Sequence, residues 1–438
     1  MFRQLLPISA LLLGSALLLF AGGVHSLILP VRGSAEGFTA SSLGLLGTGW
    51  AIGYVLGCLT APRLVGAVGH TRTFGVMCAF AAVSVLLQAI VVAPWAWIPV
   101  RAVSGFCFAG AAMIVESWLN DRAQPSTRGK IFGIYTMVNL AAVTGGQMVI
   151  SAGDATGFLF FAVAAIVYCL ALIPTALSTS ESPTPLTSVR LNLPALWRNS
   201  PVAVAAVFLV GISNAAFGTL AAVYADRVGL ALTSIALFAS IPVLAGALSQ
   251  VPIGFASDRM DRRVVLLAAA VVALAADLAF VLLAPEGRTM NLFLVGVFGA
   301  AIFAMYPVIV AHANDHAPPG TSIQVSGGLL MVFGLGSIVG PLLAGVLMSE
   351  VGPRGLFLTT VVAHVVMIGF TLWRIARSPA VALAEKGTFK VSGPARAATP
   401  ETAALAEGQM EAMPFAQPTD PPDNPAQDLP PAKEAPQH

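Results

Sequence analysis

The sequence predicts an all-α integral membrane protein of twelve spans arranged as two pseudo-symmetric six-helix bundles, and three observations carry that prediction. Hydrophobic residues make up 57% of the chain and charged residues 10%, with a mean hydropathy of +0.85, whereas soluble domains carry about 25% charged residues. Apolar runs of roughly the 20 residues needed to cross a bilayer recur twelve times. An internal repeat divides them: Ser104-Gly105 to Asn120-Asp121-Arg122-Ala123 aligns without gaps on Phe298-Gly299 to Asn314-Asp315-His316-Ala317, at an offset of 194 residues. Each copy ends the fourth run of its own six, where a parallel duplication would put it.

The first group, 1–177, holds runs at 5–29, 40–62, 73–93, 95–119, 131–151 and 157–177. A Ser-, Thr- and Pro-rich linker, 178–200, follows, with Trp197 and Arg198 suited to an interfacial position. The second group, 201–377, holds runs at 201–225, 231–256, 264–284, 290–313, 322–348 and 354–376. The apolar start after Arg3 mimics a secretory signal, but its length and the many later runs favour an uncleaved first span. From 378 to 438 the chain is rich in Pro, Ala and Glu and reads as a disordered cytoplasmic tail.

An even number of spans puts both termini on one side. That side receives thirteen basic residues, Arg3, Arg63, Arg72, Arg122, Arg128, Lys130, Arg190, Arg198, Arg259, Arg262, Arg263, Arg374 and Arg377, against Arg32, Arg227, Arg288 and Arg354 on the other. The positive-inside bias makes it cytoplasmic and the protein a multi-pass resident of the cell (inner) membrane, with the lipid bilayer as its first partner.

Several function classes are excluded. A net charge of +2 without a basic block gives no nucleic-acid surface. Lys130, the only lysine before the tail, lacks the glycine-rich approach of an ATP-binding loop. Cys58, Cys78, Cys107 and Cys169 lie inside apolar runs without metal-ligand or disulfide spacing. No nucleophile-base set or cofactor site emerges, so the chain does not read as an enzyme.

The densest charge lies between the eighth and ninth spans, where Asp258, Arg259, Asp261, Arg262 and Arg263 fill five of six positions behind Gly254. The carboxylates suit exposed helix-start amides and the arginines suit carboxylates of neighbouring helices, so the loop is a candidate latch. Gly254 is expected to let two helix backbones approach. Asp121 and Asp315, from the repeat, are its candidate partners.

This loop, the two groups of six and the central linker resemble the major facilitator superfamily of secondary transporters, over residues 1 to about 377. The matching loop after the second span keeps Arg63 and a Gly69-His70-Thr71-Arg72 ending, but has Cys58 for the glycine and Pro62 for the Asp. Arg101-Ala-Val-Ser-Gly105 resembles a second signature of the family. Gly336-Ser-Ile-Val-Gly340-Pro341 resembles a third, on the eleventh span rather than the fifth. The run Glu116 to Arg122, with Gly133 to Gln147 after it, is similar to the YcaD-like branch. The resemblance implies that spans one, four, seven and ten line a central cavity, which makes His25, Arg101, Glu116, Asn214, Tyr306 and His312 candidates for a substrate or proton path.

Polar groups inside apolar spans are costly and need a partner or a cavity. Helix rise puts His25 about 6 Å and Arg101 about 9 Å below the outer surface, as expected neighbours. Glu116 is a candidate gate toward Arg63 or Arg72. Asn139 and Gln147 either line the path or bond across helices. Asp277 and His364, about 10 and 15 Å deep, are expected to meet and stabilise the second bundle, the alternative being a protonated Asp277.

The expected function is a secondary active transporter moving a small organic solute by alternating access, in its leading form a proton-coupled exporter of amphiphilic compounds. A proton-linked or facilitated importer is one alternative. A non-transporting membrane scaffold or sensor acting through the tail is the other.

Overall fold

The computed structural model describes residues 2–122, 128–155, 157–177, 192–318, 320–379, 381–382, 386–390, 399 and 402, and leaves out the side chains of 2–8 and 123–129. Arg3, Arg128 and Arg190 of the charge bias, most of the linker and most of the expected tail lie outside the described side chains.

Twelve helices among the described residues are long and apolar enough to cross a membrane. The first bundle comprises α1 (Phe2–Ala35), α2 (Ala40–Val68), α3 (His70–Ile90), α4 (Pro94–Arg122), α5 (Arg128–Val149) and α6 (Leu159–Ala176). The short α7 (Leu193–Asn199) follows. The second bundle comprises α8 (Pro201–Arg227), α9 (Leu232–Arg259), α10 (Arg262–Leu283), α11 (Arg288–Asp315), α12 (Ser322–Val351) and α13 (Gly355–Ile375). The chain is a multi-pass membrane protein. Its outward-facing side chains are apolar: Leu248, Leu282 and Phe293 are each well exposed, as lipid contact requires.

The repeat is visible in the packing. α2 packs on α4 as α9 packs on α11, α1 on α5 as α8 on α12, and α3 on α6 as α10 on α13. Glycines in matching places allow this. A Cβ on Gly105 would overlap the Trp50 carbonyl oxygen, and one on Gly299, 194 residues later, would overlap Pro242. Gly23 and Gly146 meet main-chain oxygens between α1 and α5, as Gly211 and Gly336 do between α8 and α12. Without a water-driven hydrophobic effect inside lipid, such close backbone approach is what helix association draws on. Gly336 and Gly340 thus press on the carbonyls of Phe208 and Ile212, while the Pro341 carbonyl lies against Gly44 of α2. The glycine-proline stretch is a packing surface with two sides.

Between the bundles, contacts gather at the face remote from the α9–α10 link. Ser41 and Ser349 hydroxyls are 2.9 Å apart, Ser34 donates to Asp226 at 2.5 Å, Thr48 donates to the Ile338 carbonyl at 2.8 Å, and Ser240 donates to Gln147 at 2.8 Å. No hydrogen bond joins the two bundles directly at the link face among the described residues. The structure is therefore closed on one face and parted on the other.

Two expectations are corrected. The first span does not stop near residue 29: α1 continues to Ala35, with Arg32 paired to Glu36 one turn on at 2.6 Å. His25 is thus about 15 Å from the helix end by rise. The stretch expected to be a free tail is packed at 386–390, Thr399 and Thr402, because Phe389 covers the bare surface of Gly254. That ring, not a second helix backbone, is Gly254's close neighbour. Of the linker, only 192–200 is described. There Asn192 caps α7 by accepting from the Ala195 N–H at 3.0 Å, and Leu196 reaches Gly328 while Trp197 stays half exposed.

Candidate functional site, a cavity between the bundles

A cavity of about 220 Å³ lies where the bundles part. The first bundle supplies a mixed wall, with His25, Arg101, Glu116, Tyr135, Asn139 and Gln147 beside apolar groups such as Leu19, Trp50, Phe108 and Val143; the second supplies Phe217, Ala221, Ala222, Ala239, Val243 and Phe303, with Asn214 and Thr219 as its polar groups.

His25 and Arg101 are both buried and adjacent. An Arg101 Nη1 lies 3.3 Å from His25 Nδ1, and His25 Nε2 lies 2.7 Å from Gln88 Oε1. A tautomer with its proton on Nε2 satisfies both contacts, donating to Gln88 and accepting from Arg101. Gln88 is itself aimed by donating to the Trp97 carbonyl at 3.4 Å. The partner of His25 is therefore a side-chain amide on α3. Gln88, fully buried within an apolar run, was detectable as an intramembrane polar residue but lies off the four spans the resemblance singles out.

Glu116 is held differently from the expected gate. It accepts from Tyr135 at 2.9 Å and from Thr402 at 2.8 Å, and Thr399 also donates to it. Arg63 and Arg72 form no ion pair among the described residues, since the degraded loop that bears them supplies no carboxylate. Tyr135 was also missed. It stands one turn before Asn139 on α5, whose amide oxygen accepts from Ser15 at 2.8 Å. Gln147 both lines the cavity and ties α5 to α9 through Ser240.

Asn214 faces the cavity with neither amide atom bonded among the described residues, although it is 2% exposed. Tyr306 and His312 are not among the residues lining this cavity, whereas Phe303 of α11 is; at about 100° per residue Tyr306 is turned some 60° and His312 half a turn from Phe303. Tyr306 packs on Phe333, with ring centres 5.6 Å apart, and His312 packs against His316 at 4.6 Å.

The charged link behaves as one cluster with separate tasks. Arg262 pairs with Asp315 at 2.6 Å and, less closely, with Asp258 at 3.4 Å. Arg263 pairs with Asp261 at 2.7 Å, and Asp261 caps α10 by accepting from the Arg263 N–H at 2.9 Å. Burial pushes the Asp261 carboxyl up, but the hydrogen bonds and charge of Arg263 outweigh it and hold the group below the usual carboxylate range. Arg259 stacks over Phe255 at 3.4 Å. Only Arg262, then, clamps a carboxylate of another helix, because the short link leaves Arg263 beside its own cap. Among the described residues Asp258 bonds Arg262 and the Phe389 N–H rather than the start of α5. The counterpart Asp121 is exposed and forms no ion pair among the described residues.

Away from the cavity, Asp277 and His364 meet at 2.6 Å, both fully buried.

The Major Facilitator Superfamily profile matches residues 11–243 and 203–408. Among similar proteins, the MFS-type transporter YcaD of Salmonella heidelberg (strain SL476) is 25% identical over 355 residues, spanning 80% of this chain and 91% of the relative. YcaD of Escherichia coli O9:H4 (strain HS) is 25% identical over 361 residues, with the same two coverages of 80% and 91%. Among solved structures, the nucleoside transporter NupG superposes with a TM-score of 0.73 at 14% identity, over 85% of this chain and all of that one. A bacterial homologue of the lysosomal transporter Spinster, in an inward-facing and occupied conformation, superposes at 0.71 with 15% identity, over 88% and 98%. With the profile covering both bundles and the paired-helix architecture in place, the chain belongs to the major facilitator superfamily and is a membrane transporter, not an enzyme.

Proposed function

We propose that the protein is a proton-coupled exporter of small amphiphilic compounds, working in the cell (inner) membrane with both termini cytoplasmic. What supports this reading most is the make-up of the cavity wall: His25, Arg101 and Glu116 all come from the first bundle, set among apolar side chains of both bundles. An amphiphile presents a polar and an apolar part, and Asn214 offers it a donor and an acceptor that no other described residue uses. Solutes of this kind leak into a cell across lipid unaided, so holding their internal concentration below the external one requires an energy source.

The neighbouring His25 and Arg101 offer the coupling. A guanidinium beside the imidazole repels an incoming proton, so proton uptake at His25 would follow separation of α1 from α4, or arrival of an anionic group between them. Alternation of that kind ties proton movement to rocking of the bundles about a midplane site.

The test is transport of a panel of fluorescent amphiphiles in inside-out vesicles, with and without an imposed pH gradient. His25→Gln is expected to abolish gradient-driven accumulation while downhill exchange continues. Equal loss of both overturns proton coupling through His25. Solute movement in the opposite sense overturns export in favour of import.

A further inference from the structure

We propose that residues 386–390, together with Thr399 and Thr402, act as a ligand built into the chain, the former docking on the charged link of the second bundle and the latter two on Glu116 of the first, so that they hold the parted face open. The docking contacts are specific and mostly main-chain. The Gly387 N–H donates to Asp315 Oδ1 at 3.0 Å, and its carbonyl accepts from Arg262. The Phe389 N–H donates to Asp258 Oδ1 at 2.8 Å, and the Lys386 ammonium donates to the Met260 carbonyl at 2.6 Å. The Phe389 ring lies on Gly254, a position where any side chain would collide with it. The path begins at Ser378, whose carbonyl accepts from Arg263 at 3.1 Å.

The far end enters the cavity. Thr399 and Thr402 donate their hydroxyls to Glu116, which is 2% exposed, and Thr402 is part of the cavity lining. One segment thus grips the second bundle at Asp258, Asp315 and Gly254 and the first bundle at Glu116. The Phe389 N–H occupies Asp258, and Thr402 stands in the cavity that must shrink when that face closes. Individually weak contacts suffice, because tethering makes the segment's effective concentration millimolar in order of magnitude. The eleven residues from Ile375 to Lys386 can span up to about 36 Å, enough to reach the link. The docking stands on these contacts alone; its effect on solute movement rests on the transporter reading above.

Two measurements on membrane-embedded protein test this, neither of which reads transport. On a background with Cys58, Cys78, Cys107 and Cys169 replaced by Ser, Gly254→Cys with Phe389→Cys places two Cβ atoms close to the ~3.8 Å a disulfide requires. Oxidation is expected to yield at least about tenfold more linked peptide, read by mass spectrometry, than Ser42→Cys with Phe389→Cys, which lie on opposite faces. Spin labels on Gly66→Cys and Ile323→Cys, one per bundle at the parted face, are expected to move to shorter distances when 378–438 is deleted. Phe389→Asp in the full chain should reproduce the shift, and a synthetic 384–404 peptide added to the truncated protein should reverse it. Equal cross-link yields in the two pairs, or one distance distribution for full-length, Phe389→Asp and truncated protein, overturns the proposal.

Discussion

His364 Nδ1 lies 2.6 Å from Asp277 Oδ2 in the middle of the second bundle, remote from cavity and lipid alike. Thr360 donates to the other carboxylate oxygen at 2.7 Å, and the Ser213 hydroxyl lies 3.3 Å from the remaining ring nitrogen. The four side chains join α8, α10 and α13. Breaking such a buried pair by removing one partner costs about 3–5 kcal/mol. Asp277→Asn and His364→Ala are each expected to lower thermal stability, with the double variant no worse than the poorer single. Additive losses in that cycle would mean no coupling.

Asn214 carries a buried amide with no hydrogen-bond partner among the described residues. An unpaired buried polar group costs about 1–3 kcal/mol. Asn214→Leu is therefore expected to raise the melting temperature of the solute-free protein, and, on the proposed function, to remove the stabilisation that an added amphiphile confers on the natural chain. A lower melting temperature would show that the amide has a structural partner.

The two copies of the repeat should differ in sensitivity. Asp315 is 2% exposed and bonded to Arg262, whereas Asp121 is exposed and unpaired among the described residues. Asp315→Asn is expected to cost about 3 kcal/mol or more, and Asp121→Asn less than about 0.5 kcal/mol. Thermal unfolding of the two variants in matched detergent checks this, and equal effects would contradict it.

Asp261 gives a pH dependence with a definite sign. Its folded-state carboxyl is held below the ordinary value by Arg263, so its contribution is present above the unfolded value of about 3.9 and disappears as pH falls through the lower folded value. The stability gap between the natural chain and Asp261→Asn should be constant from neutral pH down to about 5 and close below about 4. A gap that widens on acidification would reverse the assignment.

Glycine-backed packing predicts a graded series. Gly53→Val, where a Cβ meets the Ala102 carbonyl, is expected to destabilise by more than the roughly 1–3 kcal/mol of ordinary overpacking. Gly66→Ala, with open space around it, should be neutral. Folded yield in membranes and the melting temperature of each variant check the ordering.

What the sequence made legible follows from how strongly each feature is forced. Spans are set by the cost of burying charge in lipid, and their limits fall within a few residues of the helices except at α1, where Arg32 stays helical by pairing with Glu36, and at α2, which continues six residues past the expected end to Val68. The neighbours His25 and Arg101, and Asp277 and His364, were reachable because an intramembrane ionisable group needs a partner at its own depth. Rotation about a helix axis is set by packing, so depth alone did not reveal that Phe303 rather than Tyr306 or His312 lines the described cavity. Gln88 and Tyr135 lie on α3 and α5, outside the helices that the resemblance brings forward. Phe389 was lost for another reason: average composition over the last 61 residues conceals one aromatic ring that matches a bare glycine.

The contact between α2 and α12 is made by Gly44 and Gly345 against main-chain oxygens of Pro341 and Ala40, with Thr48 bonded to the Ile338 carbonyl. Interdigitated leucines would fix one crossing angle, since each knob must leave its hole before the helices can turn. Backbone resting on backbone has no knobs to withdraw. Were the bundles to rock, the Gly44–Gly345 end of this seam would serve as a bearing that stays in contact while its angle changes, with the axis near the face remote from the α9–α10 link. Filling Gly44 or Gly345 would therefore jam the machine in one pose without touching any group that meets the cargo.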